Sequence, residues 1–218
     1  MSSTGRGGKR SAADYYPTPE WCVRRLLEVF DPPGSKWLEP CAGDGAIVRA
    51  AAELRPDVHW CAVELRDCAR DCGTANVDWF VADYLKCTSL TQRQDVAITN
   101  PPFSLAMDFW RKLREEANTI ILLQRLSWIA PSVRSSVFRQ DMPSVYVLPN
   151  RPSFVGGGTT DSTEYAWFVW SPEKSTTGFL SVLEETPLRE RKKARRRGKP
   201  LMEVFFGGES VDAAIQQK

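Results

Sequence analysis

The sequence predicts an α/β protein, a three-layer sandwich in which helices cover both faces of a mainly parallel sheet. Three observations carry this expectation. Short runs rich in β-branched and aromatic residues alternate along the chain with amphipathic helical patterns, the order that βαβ units require. Residues 119–123 are almost wholly apolar, as befits a central strand covered on both sides. The first strand passes through two glycines directly into a helix, a turn that places backbone at the carboxyl edge of such a sheet.

Thr18-Pro19-Glu20 reads as a helix start, with Thr18 as cap and Pro19 at the first helical position, where its missing N–H costs nothing. Trp21, Leu26, Leu27 and Phe30 supply the apolar face, and Pro32-Pro33-Gly34 ends the helix. Residues 36–39 form a first short strand, and 46–54 the helix after the glycines. Strands are expected at 58–63, 77–81 and 95–99, then a helix at 105–117. After the apolar fifth strand, 132–138 has helical character, and 144–148 and 165–170 read as two more strands. Residues 1–14 read as a disordered basic arm, and 15–172 as the folded domain. Residues 173–218 form an extension in which the pattern weakens and a basic run precedes the apolar patch Leu201-Met202 with Val204-Phe205-Phe206. That patch is a candidate for docking on the body.

Composition narrows the function classes. With 218 residues, 42% hydrophobic and 26% charged, the chain can bury a core without disulfides or metal. No run approaches the roughly 20 apolar residues of a membrane span, and the Gly/Ser-rich start lacks the apolar stretch of a secretory signal. The expectation is a cytoplasmic protein. Cysteines 22, 41, 61, 68, 72 and 87 lack the paired spacing of a zinc site, and His59 is the lone histidine. Reduced, partly buried thiols and no metal are therefore expected, with His59 structural.

Charge is unevenly placed. Residues 1–13 carry Arg6, Lys9 and Arg10 and no acid, and residues 15–187 carry 17 basic against 22 acidic side chains, a charge of −5. Residues 189–199 carry eight basic side chains against Glu190, a charge of +7. An acidic body with cationic ends suits a polyanionic partner, because each neutralised phosphate releases counterions.

Three motifs carry chemistry. In Glu39-Pro40-Cys41-Ala42-Gly43-Asp44-Gly45, glycine lets the backbone turn sharply and approach a ligand. The three-glycine dinucleotide fingerprint and the Gly-Lys-Ser/Thr of a phosphate loop are absent, which argues against NAD and ATP. Glu64 closes the second strand about 20 residues later, where a carboxylate can accept both hydroxyls of a ribose, and Asp83 follows the third strand, where an adenine amine could be met. Asn100-Pro101-Pro102-Phe103 follows the fourth strand. Two prolines can neither extend a sheet nor enter a helix, so the segment is a stiff loop. It offers an amide oxygen on Asn100, the Pro101 carbonyl and the Phe103 ring, the groups that hold a planar base bearing an –NH₂.

On these motifs the chain resembles the S-adenosylmethionine (SAM)-dependent amino-methyltransferases, most closely the small DNA-adenine methyltransferases of phages and mobile elements. Asn100-Pro101-Pro102-Phe103 matches their catalytic tetrapeptide, and Glu39, Cys41, Ala42, Gly43 and Gly45 resemble their cofactor loop. Tyr15-Tyr16-Pro17-Thr18-Pro19 resembles the segment that closes over the cofactor's methionine part, which implies cofactor contacts for Tyr16 and Thr18. The stretches Arg151-Pro152-Ser153-Phe154 and Thr160-Asp161 to Trp170 also look phage-like. The resemblance implies a Rossmann-like methyltransferase fold of seven strands, the last antiparallel, with SAM as cofactor and methyl transfer to adenine in DNA. Within that reading Arg151 is a candidate for phosphate and Phe154 for the second face of the base.

Phe103 stands where such DNA enzymes commonly have Tyr, and Phe also occurs in RNA-modifying relatives. About 20 residues between strands five and six and about 16 between six and seven leave no room for a full recognition domain. Adenine in RNA is thus a second reading. A glutamine-amide protein methyltransferase and a non-catalytic nucleic-acid-binding subunit are weaker ones.

Overall fold

The computed structural model describes residues 17–67, 72–74, 76–88, 92–154, 162–172 and 178–193. The basic arm, Tyr16, Cys68, most of the basic run and the apolar patch at 201–206 lie outside the described residues. One eight-stranded sheet organises the rest, in the order β3-β2-β1-β4-β5-β7-β6-β8. Its strands are β1 (Lys36–Glu39), β2 (His59–Glu64), β3 (Val77–Val81), β4 (Gln94–Thr99), β5 (Ala117–Arg125), β6 (Ser144–Val147), β7 (Tyr165–Trp170) and β8 (Leu180–Val182). All pairings are parallel except those of β7, which runs antiparallel to both β5 and β6. The mainly parallel sheet with an antiparallel seventh strand is as the sequence predicts. The eighth strand is a correction, and it falls inside the stretch set apart as an extension.

The alternation of side chains across each strand builds the layers. In β5, Ile121 and Leu123 point to one face and Ile120 and Leu122 to the other, all at most 2% exposed. Against the first face pack α1 (Glu20–Leu27) and α2 (Ala46–Ala52), through Trp21, Val23, Leu26, Ile47 and Val48 onto Trp37, Trp60 and Trp167. Against the second pack α3 (Ala106–Glu116) and α4 (Ser135–Gln140), through Phe109, Trp110, Leu113 and Phe138 onto Leu38, Ala97 and Phe168. Trp128, Trp167 and Trp170 are all core residues. Each large side chain so buried is worth roughly 1.5–3 kcal/mol, the main term holding the sandwich together.

One local expectation changes. Thr18 is not the cap of α1: Pro19 occupies that position and no side chain bonds the first turn, while the Cys22 N–H donates to the Pro19 carbonyl at 2.9 Å. His59 is the first residue of β2, exposed, with Nε2 2.8 Å from the Asp78 carboxylate. The five described cysteines are free thiols, and burial pushes the Cys61 thiol up to about 11. Among the described residues no His/Cys/Asp/Glu group could hold a metal ion, and no helix is long and apolar enough to cross a membrane.

Beyond β8 the chain returns to the first helix. Asn150 Oδ1 accepts the Thr186 N–H at 2.7 Å, Arg25 Nε donates to Thr186 Oγ1 at 3.1 Å, and Arg25 pairs with Glu190 at 3.2 Å. Thr186 is fully buried, and Glu190 belongs to α5 (Leu188–Lys193).

Candidate active site

Sheet topology places the motifs. β1 and β4 are neighbours, with Leu38 opposite Ala97, yet the chain leaves β1 through α2 on one face and β4 through α3 on the other. Departures in opposite directions open a crevice at the carboxyl ends of that strand pair, where open α/β sheets take their ligands. The glycine turn of residues 40–45 and the loop of residues 100–103 form its two lips.

Backbone bonds fold the glycine turn tightly. The Ala42 N–H donates to the Val63 carbonyl at 3.0 Å, and the Gly45 N–H to the Ala42 carbonyl at 2.7 Å. Gly43 and Gly45 have φ of 56° and 77°, the left-handed region that disfavours a Cβ. At Gly45 the crowding neighbour is protein: an added Cβ would lie 2.6 Å from Cys72 Cβ. Arg49 donates to the Asp44 carbonyl and lies 3.3 Å from its carboxylate and 3.5 Å from that of Glu20, tying the turn to α1 and α2. Cys41 is half-buried and Ala42 buried.

Two buried carboxyls face this turn. Glu39, ending β1, is 1% exposed, and its Oε2 has no hydrogen-bond partner among the described residues. Desolvation first, then the nearby Asp44 and Glu64, hold its pKa well above the ordinary carboxylate range. Glu64, ending β2, is satisfied: Oε2 accepts the Gly43 N–H at 2.8 Å, and Oε1 accepts the Arg66 N–H at 3.1 Å and Nε–H at 2.8 Å. It buckles β2 to the glycine turn. Asp83 lies two residues past β3, 3.0 Å from Lys86 Nζ, and that hydrogen bond keeps its carboxyl below the ordinary value.

On the opposite lip, the Asn100 Nδ2–H donates to Thr18 Oγ1 at 3.1 Å. The hydroxyl read as a helix cap instead fixes the amide of the tetrapeptide, and Thr18 is 5% exposed. Pro101 is buried and Pro102 half-buried. The Pro102 carbonyl accepts the Leu105 N–H at 2.9 Å, starting the turn into α3, whereas the Pro101 carbonyl accepts no hydrogen bond among the described residues. Phe103 is half-buried, its ring 5.9 Å from that of Tyr165, the first residue of β7.

The two candidates for substrate contact lie differently from expectation. Phe154 is 6% exposed and meets Tyr165 edge-on at 5.0 Å, so it backs the aromatic wall rather than offering a face. Arg151 is committed to Glu164, its Nε 3.0 Å from the carboxylate. Sequence reasoning missed Arg66, two residues beyond Glu64, and Arg125, whose guanidinium lies 4.8 Å over the Phe103 ring. Arg125 had a readable sign: it is the first charge after the apolar run of the fifth strand.

No protein-family model and no curated protein sequence matches the chain. Solved structures do. A methyltransferase subunit of a type I restriction-modification system from Streptococcus thermophilus superposes with a TM-score of 0.63 at 13% identity, over 84% of this chain and 53% of the other. A modification subunit of a type I restriction enzyme from Vibrio vulnificus gives 0.56 at 17% identity, over 78% and 46%. A Listeria monocytogenes protein assigned to the class I SAM-dependent methyltransferases gives 0.53 at 12% identity, over 86% and 75%. The chain thus spans about half the length of the two restriction-system subunits. With the strand order and the crevice between β1 and β4, these likenesses establish that the chain has the class I SAM-dependent methyltransferase fold.

Proposed function

We propose that the chain transfers a methyl group from SAM to the exocyclic amine of adenine in DNA. The observation that carries this reading is the pairing of the glycine turn and the Asn100–Phe103 loop on the carboxyl ends of adjacent strands. SAM supplies the methyl on an already activated sulfonium, and the residues present fit it. Glu39 keeps a buried carboxyl oxygen, without a hydrogen-bond partner among the described residues, beside the turn, suited to a cationic ligand group. Glu64, whose Oε1 now accepts from Arg66, would take the ribose hydroxyls, and Asp83 would meet the cofactor's adenine at the rim. Cys41, Ala42, Gly43 and Gly45 would shape the glycine lip around it, with Thr18 on the amino-terminal side, and the resemblance adds Tyr16 as a cofactor contact.

Thr18 anchors Asn100 Nδ2, which orients the amide so that its Oδ1 accepts one hydrogen of the target amine and the Pro101 carbonyl the other. Drawn out of the ring plane, these hydrogens leave the nitrogen lone pair exposed toward the glycine lip, where bound SAM would supply the methyl. The N–C bond would form as the sulfonium's C–S bond breaks, and the amine's proton would go to water. Alignment and exclusion of water supply the catalysis, without a dedicated general base. Extruding an adenine from a duplex costs a few kcal/mol, and stacking on Phe103 offsets about 1–3 kcal/mol of it.

The likeness to restriction-system modification subunits favours DNA, and the cationic ends of the sequence suit any polyphosphate partner. The reaction then belongs in the cytoplasm of a bacterial or phage-infected cell. Incubation with labelled SAM and either adenine-unmethylated DNA or RNA, followed by nucleoside digestion, tests the reading. N6-methyladenine is expected from DNA with wild type and is lost with Asn100→Ala, while SAM affinity stays within about threefold. Label confined to RNA, or near-normal turnover by Asn100→Ala, would overturn it.

A further inference from the structure

Arg125 ends β5 at the rim of the crevice, exposed to solvent, directly across the ladder from Tyr165. Its position continues the side of β5 occupied by Ile121 and Leu123, which brings it to Phe103 on the same face of the sheet. Among the described residues no carboxylate pairs with it; its contact is the Phe103 ring, 4.8 Å below the guanidinium. The other arginines near the site are committed: Arg66 to Glu64, Arg49 to Asp44 and Glu20, and Arg151 to Glu164. The whole stretch from Ala117 to Gln140 holds Arg125, Arg134 and Arg139 and no acid, and Glu164, whose carbonyl accepts the Leu126 N–H, has its carboxylate on Arg151.

We infer that Arg125 is a positioning residue that binds the backbone phosphate adjoining the extruded nucleotide and, when no nucleic acid is present, rests on the ring against which the base stacks. The inference rests on the proposed nucleic-acid substrate and moves the phosphate contact from Arg151 to Arg125. An exposed cation–π contact is weak beside a charge-assisted bidentate bond to phosphate, so the side chain leaves the ring readily once a phosphate arrives. A base stacking on that face of Phe103 displaces the guanidinium outward, toward the backbone from which the base has swung. Base entry and phosphate capture are thereby one exchange.

The full chain and its Arg125→Ala, Arg125→Lys and Arg111→Ala variants are compared in equilibrium binding to a labelled 30-base-pair DNA duplex and a labelled single-stranded RNA, across a salt series, with thermal melting to verify folding. Arg111 pairs with Asp108 on α3 and controls for loss of a cation elsewhere. Loss of one phosphate contact makes the plot of log K against log salt shallower by about 0.9 on duplex DNA. Arg125→Ala is expected to show that change with about tenfold weaker binding at low salt, Arg125→Lys to retain the wild-type slope, and Arg111→Ala to leave it unaltered. In turnover on adenine-unmethylated DNA, Arg125→Ala should raise KM with kcat within about twofold. Unchanged slopes on both polymers, or a defect confined to kcat, overturn the contact. A slope change on RNA with none on DNA leaves the contact standing and overturns DNA as the substrate.

Discussion

Replacing Glu39 by glutamine probes a carboxyl that the fold buries with no partner for its Oε2 among the described residues. Four neighbours bear on its charge besides burial: Asp44 and Glu64 oppose ionisation, and the Val48 N–H and Arg49 favour it more weakly. The folded-state pKa is therefore raised well above the ordinary 4.5, making the group a weaker acid than in the unfolded chain. Below pH 4.5 both folded and unfolded chains hold the proton, and the group contributes nothing to pH dependence. As pH rises past 4.5 the unfolded chain releases its proton while the folded chain keeps it, so stability falls until pH passes the folded value. One proton sets the slope at about 1.4 kcal/mol per pH unit. For a chain of this size that corresponds to about 3–6 °C in Tm per pH unit. Glutamine cannot titrate, so Glu39→Gln should lose this slope whatever constant offset the amide introduces. Melting of wild type and Glu39→Gln at pH 5, 6 and 7, taken as a difference, cancels every other titrating group. A difference that stays flat over this range would refute the assignment of an uncompensated carboxyl at the glycine turn.

Two further substitutions test individual contacts. Gly45→Ala forces a Cβ into a φ of 77° and to 2.6 Å from Cys72 Cβ, and should destabilise by about 1–3 kcal/mol in urea unfolding; a loss under about 0.5 kcal/mol would contradict the turn geometry. Thr18→Val keeps the shape but removes the acceptor for Asn100 Nδ2, so kcat should fall about tenfold. Thr18→Ser should recover most of that turnover, and its failure to do so would point to packing rather than the hydroxyl.

The strands that matter most for the site were legible because they are strongly patterned. β1, β3 and β7 have the expected bounds, and β5 extends its apolar run by two residues at each end. The sequence also marks the lips of the crevice, since glycines and prolines constrain backbone wherever they occur. β8 was not legible: it has three residues, two of them exposed, and gains its place by pairing with β6 rather than by an apolar pattern of its own. Thr18 shows a different limit. A threonine before Pro-Glu has the local signature of a cap, and only an asparagine 82 positions later redirects its hydroxyl. Arg66 and Arg125 likewise acquire meaning from side chains that the fold brings beside them, and Phe154 becomes core because Tyr165 lies against it.

The return of the chain to Arg25 couples its two ends mechanically. The helix gripped through Thr186 and Glu190 is the one whose amino end delivers Thr18 to Asn100. A protein shortened to residue 172 would keep every group at the crevice yet lose the brace behind that helix. Its deficit would surface as a misaligned amide and sluggish methylation, easily mistaken for a role of the missing tail in gripping nucleic acid.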